Sequence, residues 1–477
     1  MISRFEDEFS RFIENRIFPL LGITKSNSSL IPANGYLVDN CISLDPDGFV
    51  QFACSRKVLY KLDRKIHICD NTMSLIEQVI RQFEKMSVFK NNSTLKNGFF
   101  DNVSEIDRHH LLIVESGLCN WIAKNNKNSE IKIIREIVSC VHEIISKLEV
   151  WSVKTYEGKK PTIGIVINFD KDSDFGDNFG NFLDVIDKDY FAVFTDCING
   201  VIELDPYCNF CKYSSITENG VITEIKPSPK IPLRFSHIIE RFIPEKSNSI
   251  GIFLLSNGDI LIIKNGALCF VKRNLKWLSV DLDSFKNSIG NLVTDNIFVE
   301  SIYSSMIDVS FAHTGGIISV VSKKDSLTND EDDGLPILSK FDDISNNLSL
   351  NTIKSVVLEE NKKYEANQQF HLKISEPEID SRLLKRKFIE YLVNNKEFVY
   401  IDRRLRSELI ALDGACILDS GGNVLSFGAI IKNDSGSSGG GRGAAAKKLS
   451  KYGFAIKIST DGYIEVYKEG SKVYVVQ

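Results

Sequence analysis

The sequence predicts a mixed α/β protein built from several modules, and three observations predict it. A helical stripe of Ile133, Ile134, Ile137, Val138, Val141, Ile144, Ile145 and Leu148 gives way to the short apolar run Ile163-Gly164-Ile165-Val166-Ile167. Three strand-like runs at 251–255, 259–263 and 267–271 are joined by Ser256-Asn257-Gly258 and Asn265-Gly266, where glycine supplies the positive φ of a tight turn. A last block alternates strands with a glycine-rich loop and an alanine-rich helix.

The elements group into three regions. Residues 1–110 form an N-terminal α/β, sensor-like region. It opens on a helix carrying Phe5, Phe9, Phe12 and Ile13. Strand-like stretches follow at Gly35-Tyr36-Leu37-Val38 and Gly48-Phe49-Val50-Gln51-Phe52, then a helix over 73–85. The polar run 91–98 reads as a boundary, and His109 and His110 as exposed loop residues. Residues 111–282 form a middle α/β module containing the long helix over 130–150 and the three-strand meander.

Residues 283–477 are expected to form a mixed β-sheet flanked by helices. One helix runs to about 309 and precedes the strand Gly315-Gly316-Ile317-Ile318-Ser319-Val320-Val321. An acidic loop at 325–333 and a helix over 381–393 come next. A helix-like segment at 406–412 leads into strands at 415–418 and 424–431. A loop at 435–443 precedes a helix over 444–451, and strands at 454–458, 464–467 and 473–476 end the chain.

A chain of 477 residues exceeds what one core holds, which agrees with this division. The net charge of -5 argues against a general binder of DNA or of a membrane surface, yet leaves room for a small anion. The acidic start, with Glu6 and Asp7, is unlike a signal peptide, and no apolar run spans a bilayer, so a cytoplasmic protein is expected. Ten cysteines scattered without a framework fit reduced thiols.

Two segments of the last block carry the chemistry. Asp413-Gly414-Ala415 stands where a helix passes into a strand. The loop ending in Ser438-Gly439-Gly440-Gly441-Arg442-Gly443 stands where a strand passes into a helix. Glycines let a backbone approach a ligand closely, and the N–H groups of a helix start favour an anion. Arg442 adds a planar fork suited to phosphate oxygens. A nearby aspartate can hold a divalent cation or accept a hydroxyl proton.

In this order of parts, the segment resembles the catalytic domain of diadenylate cyclases. The resemblance rests on Gly315-Gly316-Ile317-Ile318, then Ala411-Leu412-Asp413-Gly414-Ala415, Gly440-Gly441-Arg442-Gly443-Ala444-Ala445-Ala446 and Ala455-Ile456-Lys457-Ile458-Ser459. It covers roughly the last 190 residues, the scale of one domain.

The resemblance implies condensation of two ATP molecules into cyclic di-AMP across a face-to-face homo-oligomer, under the control of the N-terminal region. It implies Asp413 as catalytic residue and ligand of Mg²⁺ or Mn²⁺. Gly414, Ala415, Gly440, Gly441, Arg442 and Gly443 would bind nucleotide, with Gly316, His313 and Ser438 as further candidates. The family's loop reads Arg-His-Arg where this chain has Arg442-Gly443-Ala444. That departure leaves an alternative open, a nucleotide-binding sensor or scaffold without turnover.

Other motifs do not hold together. Gly439-x-Gly441-x-x-Ala444 mimics a dinucleotide fingerprint, but it follows the return arm of a hairpin and no further βαβ unit follows it. Cys208 and Cys211 have no second pair at ligand spacing. Asp170-x-Asp172-x-Asp174 lacks the glycine and the glutamate of a calcium loop, having Phe175 and Asn181 there.

Overall fold

The computed structural model describes residues 4–33, 35–86, 103–125, 131–155, 160–170, 200–205, 210–215, 228–322, 393, 396–431 and 440–476. The protein is mixed α/β. It divides into two compact units: Met1–Gly290 with Tyr463–Val466 and Lys472–Gln477, and Asn291–Gly462 with Tyr467–Ser471. Among the described residues, no helix is long and apolar enough to cross a membrane.

In the first unit the aromatic spacing at the N-terminus becomes α1 (Arg4–Phe12), with Phe9 and Phe12 fully buried. A four-stranded antiparallel sheet follows in the order β1-β4-β3-β2, from β1 (Leu30–Pro32), β2 (Ile42–Leu44), β3 (Val50–Cys54) and β4 (Lys57–Leu62). The strand expected at 35–38 is absent. Leu37 makes one isolated bridge to Lys57, flanked by the Val38 amide on the Arg56 carbonyl at 2.8 Å and the Val58 amide on the Tyr36 carbonyl at 3.1 Å, and its side chain is 81% exposed, so the pairing does not extend into a strand.

Three long helices come next: α2 (Asp70–Met86), α3 (Val103–Ala123) and α4 (Ile131–Ser152). The second of these corrects the expectation for the two histidines. His109 and His110 lie inside α3, and His110 is only 1% exposed, edge-on to Phe12 and 3.7 Å from the Glu8 carboxylate. α3 is apolar on most of its sides, so it shows no amphipathic stripe to read. It also runs through position 110, and no unit limit falls there.

The seven-stranded sheet of this unit has the order β11-β10-β9-β8-β5-β6-β7. Its strands are β5 (Ile163–Asn168), β6 (Gly200–Leu204), β7 (Phe210–Ser215), β8 (Ser249–Leu254), β9 (Ile260–Lys264), β10 (Ala267–Arg273) and β11 (Lys276–Ser279). β5 and β6 are parallel, and the expected meander is β8-β9-β10. Between β7 and β8 lies the short helix α5 (Ser236–Phe242).

An ion cluster is set into this apolar core. The Lys272 ammonium on β10 meets Glu115 of α3 at 2.5 Å and also pairs with Glu149 of α4. Lys272 and Glu115 are each 5% exposed along the side chain. Burial lowers the Lys272 pKa, and the Glu115 carboxylate opposes that shift.

The single helix expected over 283–309 is two. α6 (Leu282–Ile289) is capped by Asp281, which accepts from the Ser284 amide at 2.7 Å, and it ends on Gly290 at φ 68. α7 (Asn296–Ala312) starts afresh because Asp295 accepts from the Ile297 amide at 2.8 Å.

The second unit is built on β12 (Gly316–Val321), β13 (Ala415–Asp419), β14 (Val424–Ala429) and β15 (Gly453–Ile458). β12 is central, parallel to β13 and antiparallel to β15, and β14 flanks β13. α8 (Arg403–Ala411) packs against β12, β13 and β14, and is tied to α7 by a buried two-point Arg403–Asp308 pair at 2.7 and 3.0 Å.

α9 (Gly440–Leu449) takes the other face. There Ala445, Ala446 and Leu449 form a core with Ile317, Val321, Ala415, Ile417 and Ala455. Strand alternation turns Ile318, Val320, Cys416 and Leu418 away from α9, and all are fully buried. β16 (Ile464–Lys468) and β17 (Ser471–Val476) end the chain. The helix expected over 381–393, apart from Val393, and the acidic loop at 325–333 lie outside the described residues.

Lys272→Met removes the cation that pairs with the buried Glu115 carboxylate and with the partly exposed Glu149. It is expected to cost about 3–5 kcal/mol in urea denaturation. Adding Glu115→Gln to it should recover part of that loss.

Candidate functional site

α8 ends at Ala411, and the chain turns through Leu412, Asp413 and Gly414 into β13. Two close backbone approaches shape this turn. A Cβ on Gly316 would collide with the Ile410 carbonyl oxygen at the end of α8. A Cβ on Gly414 (φ 108) would stand 2.6 Å from the Gly428 carbonyl oxygen and 2.8 Å from the Ala429 amide. The parallel register pairs Ile318 with Cys416, so β12 and β13 begin at the same sheet edge. Asp413 is exposed there.

β15 ends at that edge as well, since Gly316 pairs with Ile458. A Cβ on Gly315 would stand 2.6 Å from Nη1 of Arg442, 3.2 Å from the Thr460 amide and 3.3 Å from the Ile458 carbonyl. The Arg442 guanidinium therefore lies against the bare α-carbon of Gly315. His313 ends α7 in the left-handed conformation, φ 56, with Nδ1 3.1 Å from the Thr460 carbonyl oxygen. His313, Gly315, Thr460 and Arg442 thus meet at one corner.

The fold brings together Gly316, His313, Asp413, Gly414 and Arg442, which the sequence singled out separately. Ala415 is 1% exposed, and its side chain belongs to the core under α9. Gly440 and Gly441 are exposed and Gly443 is buried. These glycines were expected in a loop ahead of the helix, but they form the first turn of α9. The low helix propensity of glycine is offset by the packing of Ala445, Ala446 and Leu449. Ser438 lies outside the described residues, as do Cys208, Asp172 and Asp174.

One residue escaped the sequence reading. Lys457 of β15 has its Nζ 3.9 Å from the Cβ position of Gly443. Its signal was a single charge inside the otherwise apolar strand Phe454-Ala455-Ile456-Lys457-Ile458.

Among the described residues, the edge therefore carries the Asp413 carboxylate, the Arg442 guanidinium, the Lys457 ammonium and the amides at the start of α9. Among the described residues, no group of three or more His, Cys, Asp or Glu side chains is arranged to hold a metal ion. Comparison with protein-family models, curated proteins and solved structures returns no match for this chain.

The glycine contacts yield a paired test. Gly316→Ala forces a methyl into the Ile410 carbonyl and should destabilise the second unit by about 1–3 kcal/mol or more in urea denaturation. Gly441→Ala, where a Cβ meets nothing within 4 Å, should be neutral or stabilise by about 0.4–1 kcal/mol. Equal behaviour of the two variants would remove the close-approach account.

Proposed function

We propose that the second unit binds ATP and that the chain is a diadenylate cyclase, joining two ATP into cyclic di-AMP with release of two pyrophosphates. The observation that carries this reading is the position of Arg442, laid on Gly315 at the sheet edge where Asp413 and Gly414 lead into β13. Bare α-carbons let a nucleotide lie close to the backbone. Arg442 and the α9 amides supply positive charge to phosphate oxygens.

In each half of the reaction a 3′-hydroxyl oxygen forms a bond to the α-phosphorus of the other ATP. The bond from that phosphorus to the pyrophosphate oxygen breaks, and the hydroxyl proton departs. Asp413, exposed beside the seat, is the residue to take up that proton. One site cannot present both nucleophile and electrophile, so two copies must face one another, and a symmetric pair is the simplest arrangement. Asp413 would be the residue to hold Mg²⁺ or Mn²⁺, and the bound ion would supply neutralisation of phosphate charge. The first unit would then act as the regulatory part.

A second reading is favoured by one feature. Gly443 and Ala444 place no cationic side chain where the family it resembles has two more basic residues. The same seat would then hold a nucleotide as a sensed ligand without turning it over.

Incubation of the full chain with ATP and either metal, followed by separation of products, tests both. A cyclase should release cyclic di-AMP at a rate that rises more steeply than linearly with protein concentration. Asp413→Asn should lower turnover by about a hundredfold or more, and Arg442→Ala should weaken ATP binding by about tenfold. Tight ATP binding without product at any concentration selects the sensor. Failure to bind ATP and cyclic dinucleotides alike removes both readings.

A further inference from the structure

We infer that the first unit carries a binding site of its own, for a small organic molecule that ends in an oxyanion, a carboxylate or a phosphate. The site is built from residues of the first unit alone and does not rest on the nucleotide-binding reading. A cavity of about 570 Å³ lies there, walled by the turn that follows α1, the first turns of α3 and the starts of β11 and β17. That volume suits a small-molecule ligand.

The turn after α1 is π-helical over Ile13–Ile17, with the Phe18 amide donating to the Ile13 carbonyl five residues back. Such turns are rare and recur at functional sites. Ile13 and Ile17 stay in the core, and the three residues between them, Glu14, Asn15 and Arg16, line the cavity. Arg16 is held in place from two sides. Its Nη1 donates to the Leu275 carbonyl at 3.0 Å and its Nη2 to the Asp107 carbonyl at 2.5 Å. Its Nε is buried and has no hydrogen-bond partner.

A narrower crevice shares Asn15, Arg16 and Lys276 with the cavity and is lined further by Leu111, Val114 and Trp277. Trp277 is 3% exposed, and its indole Nε1 is likewise buried without a partner. Two lining residues thus hold N–H donors that no described residue satisfies. Folded proteins rarely leave buried donors so, and the acceptor oxygens of a ligand would satisfy them.

Charge sets the sign of that ligand. Lys25 pairs with Glu14 at 2.8 Å, Lys472 pairs with Glu465 at 2.5 Å, and the Asp107 carboxylate stands 4.0 Å from Nη2 of Arg16. Lys276 also lines the cavity, and among the described residues its ammonium has no ion-pair partner. An anionic group beside Lys276 would complete the pairing. Leu111, Val114 and Trp277 offer apolar surface to the rest of the molecule, which a free inorganic ion would leave unused.

The test uses the full chain, with phenyl phosphate and benzoate as probes and benzyl alcohol as the neutral control, read by calorimetry and thermal melting. At least one anion should bind with a Kd of about 1 mM or tighter and raise the melting temperature, while benzyl alcohol does neither. Which anion binds more tightly tells a phosphate ligand from a carboxylate. Lys276→Gln should weaken binding by about fivefold to tenfold, and Lys276→Arg should stay within about threefold of the parent. Lys276 is exposed, so both variants should melt with the parent when no probe is present. Arg442→Ala, in the second unit, should leave the binding unchanged. Failure of both anions to bind, equal binding of the alcohol, parental affinity in Lys276→Gln, or loss of binding in Arg442→Ala each overturns the inference.

Discussion

Backbone packed directly on backbone is the constraint on which the candidate site depends. Gly316 lies under the Ile410 carbonyl, and Gly414 lies against Gly428 and Ala429. No residue with a side chain fits either place without moving main chain. Because these approaches are permitted, α8 can run almost to the sheet and hand the chain to β13 through Asp413. Because α8 ends there, β12 and β13 start at one edge in parallel register. The carboxylate of Asp413 is exposed as a consequence of that turn and not through any feature of its own.

The opposite face follows a different rule. Alanines at 445, 446, 415 and 455 let α9 lie close on the sheet, so the first turn of the helix reaches the same edge. Arg442 can then fold onto Gly315, and Lys457 can fill the space that Gly443 leaves open. Small residues thus set both the approach of the elements and the position of the charges. The cations themselves cost desolvation only in part, since Arg442 and Lys457 are half-buried at the rim.

Charge is handled otherwise in the first unit. Lys272 and Glu115 are closed off from solvent, as are Arg273 and Asp259, whose contact is 2.6 Å. Buried pairs of this kind add little net stability over an apolar core, and they penalise any arrangement that separates the partners. In this unit they connect β10 to α3 and α4, and β10 to the turn that leads into β9.

Much was legible in the sequence alone. The mixed α/β class, the long helix now seen at Ile131–Ser152, the meander of Ser249–Leu254, Ile260–Lys264 and Ala267–Arg273, and the strands Gly316–Val321 and Ala415–Asp419 all follow from local periodicity and turn glycines. Asp413, Gly414 and Arg442 could be singled out because residue type and position within an element are local properties. The helix Val103–Ala123 could not be read, because it is buried on most sides and carries no stripe. The placement of Lys457 could not be read either, since the Gly443 beside which its ammonium lies, 3.9 Å from the Cβ position, belongs to another element. Sequence by itself determined which segments fold and which residues carry charge. Only the tertiary structure decided that Gly315, Asp413, Arg442 and Lys457 share one sheet edge, because strand register and helix approach arise from contacts between residues far apart in the chain.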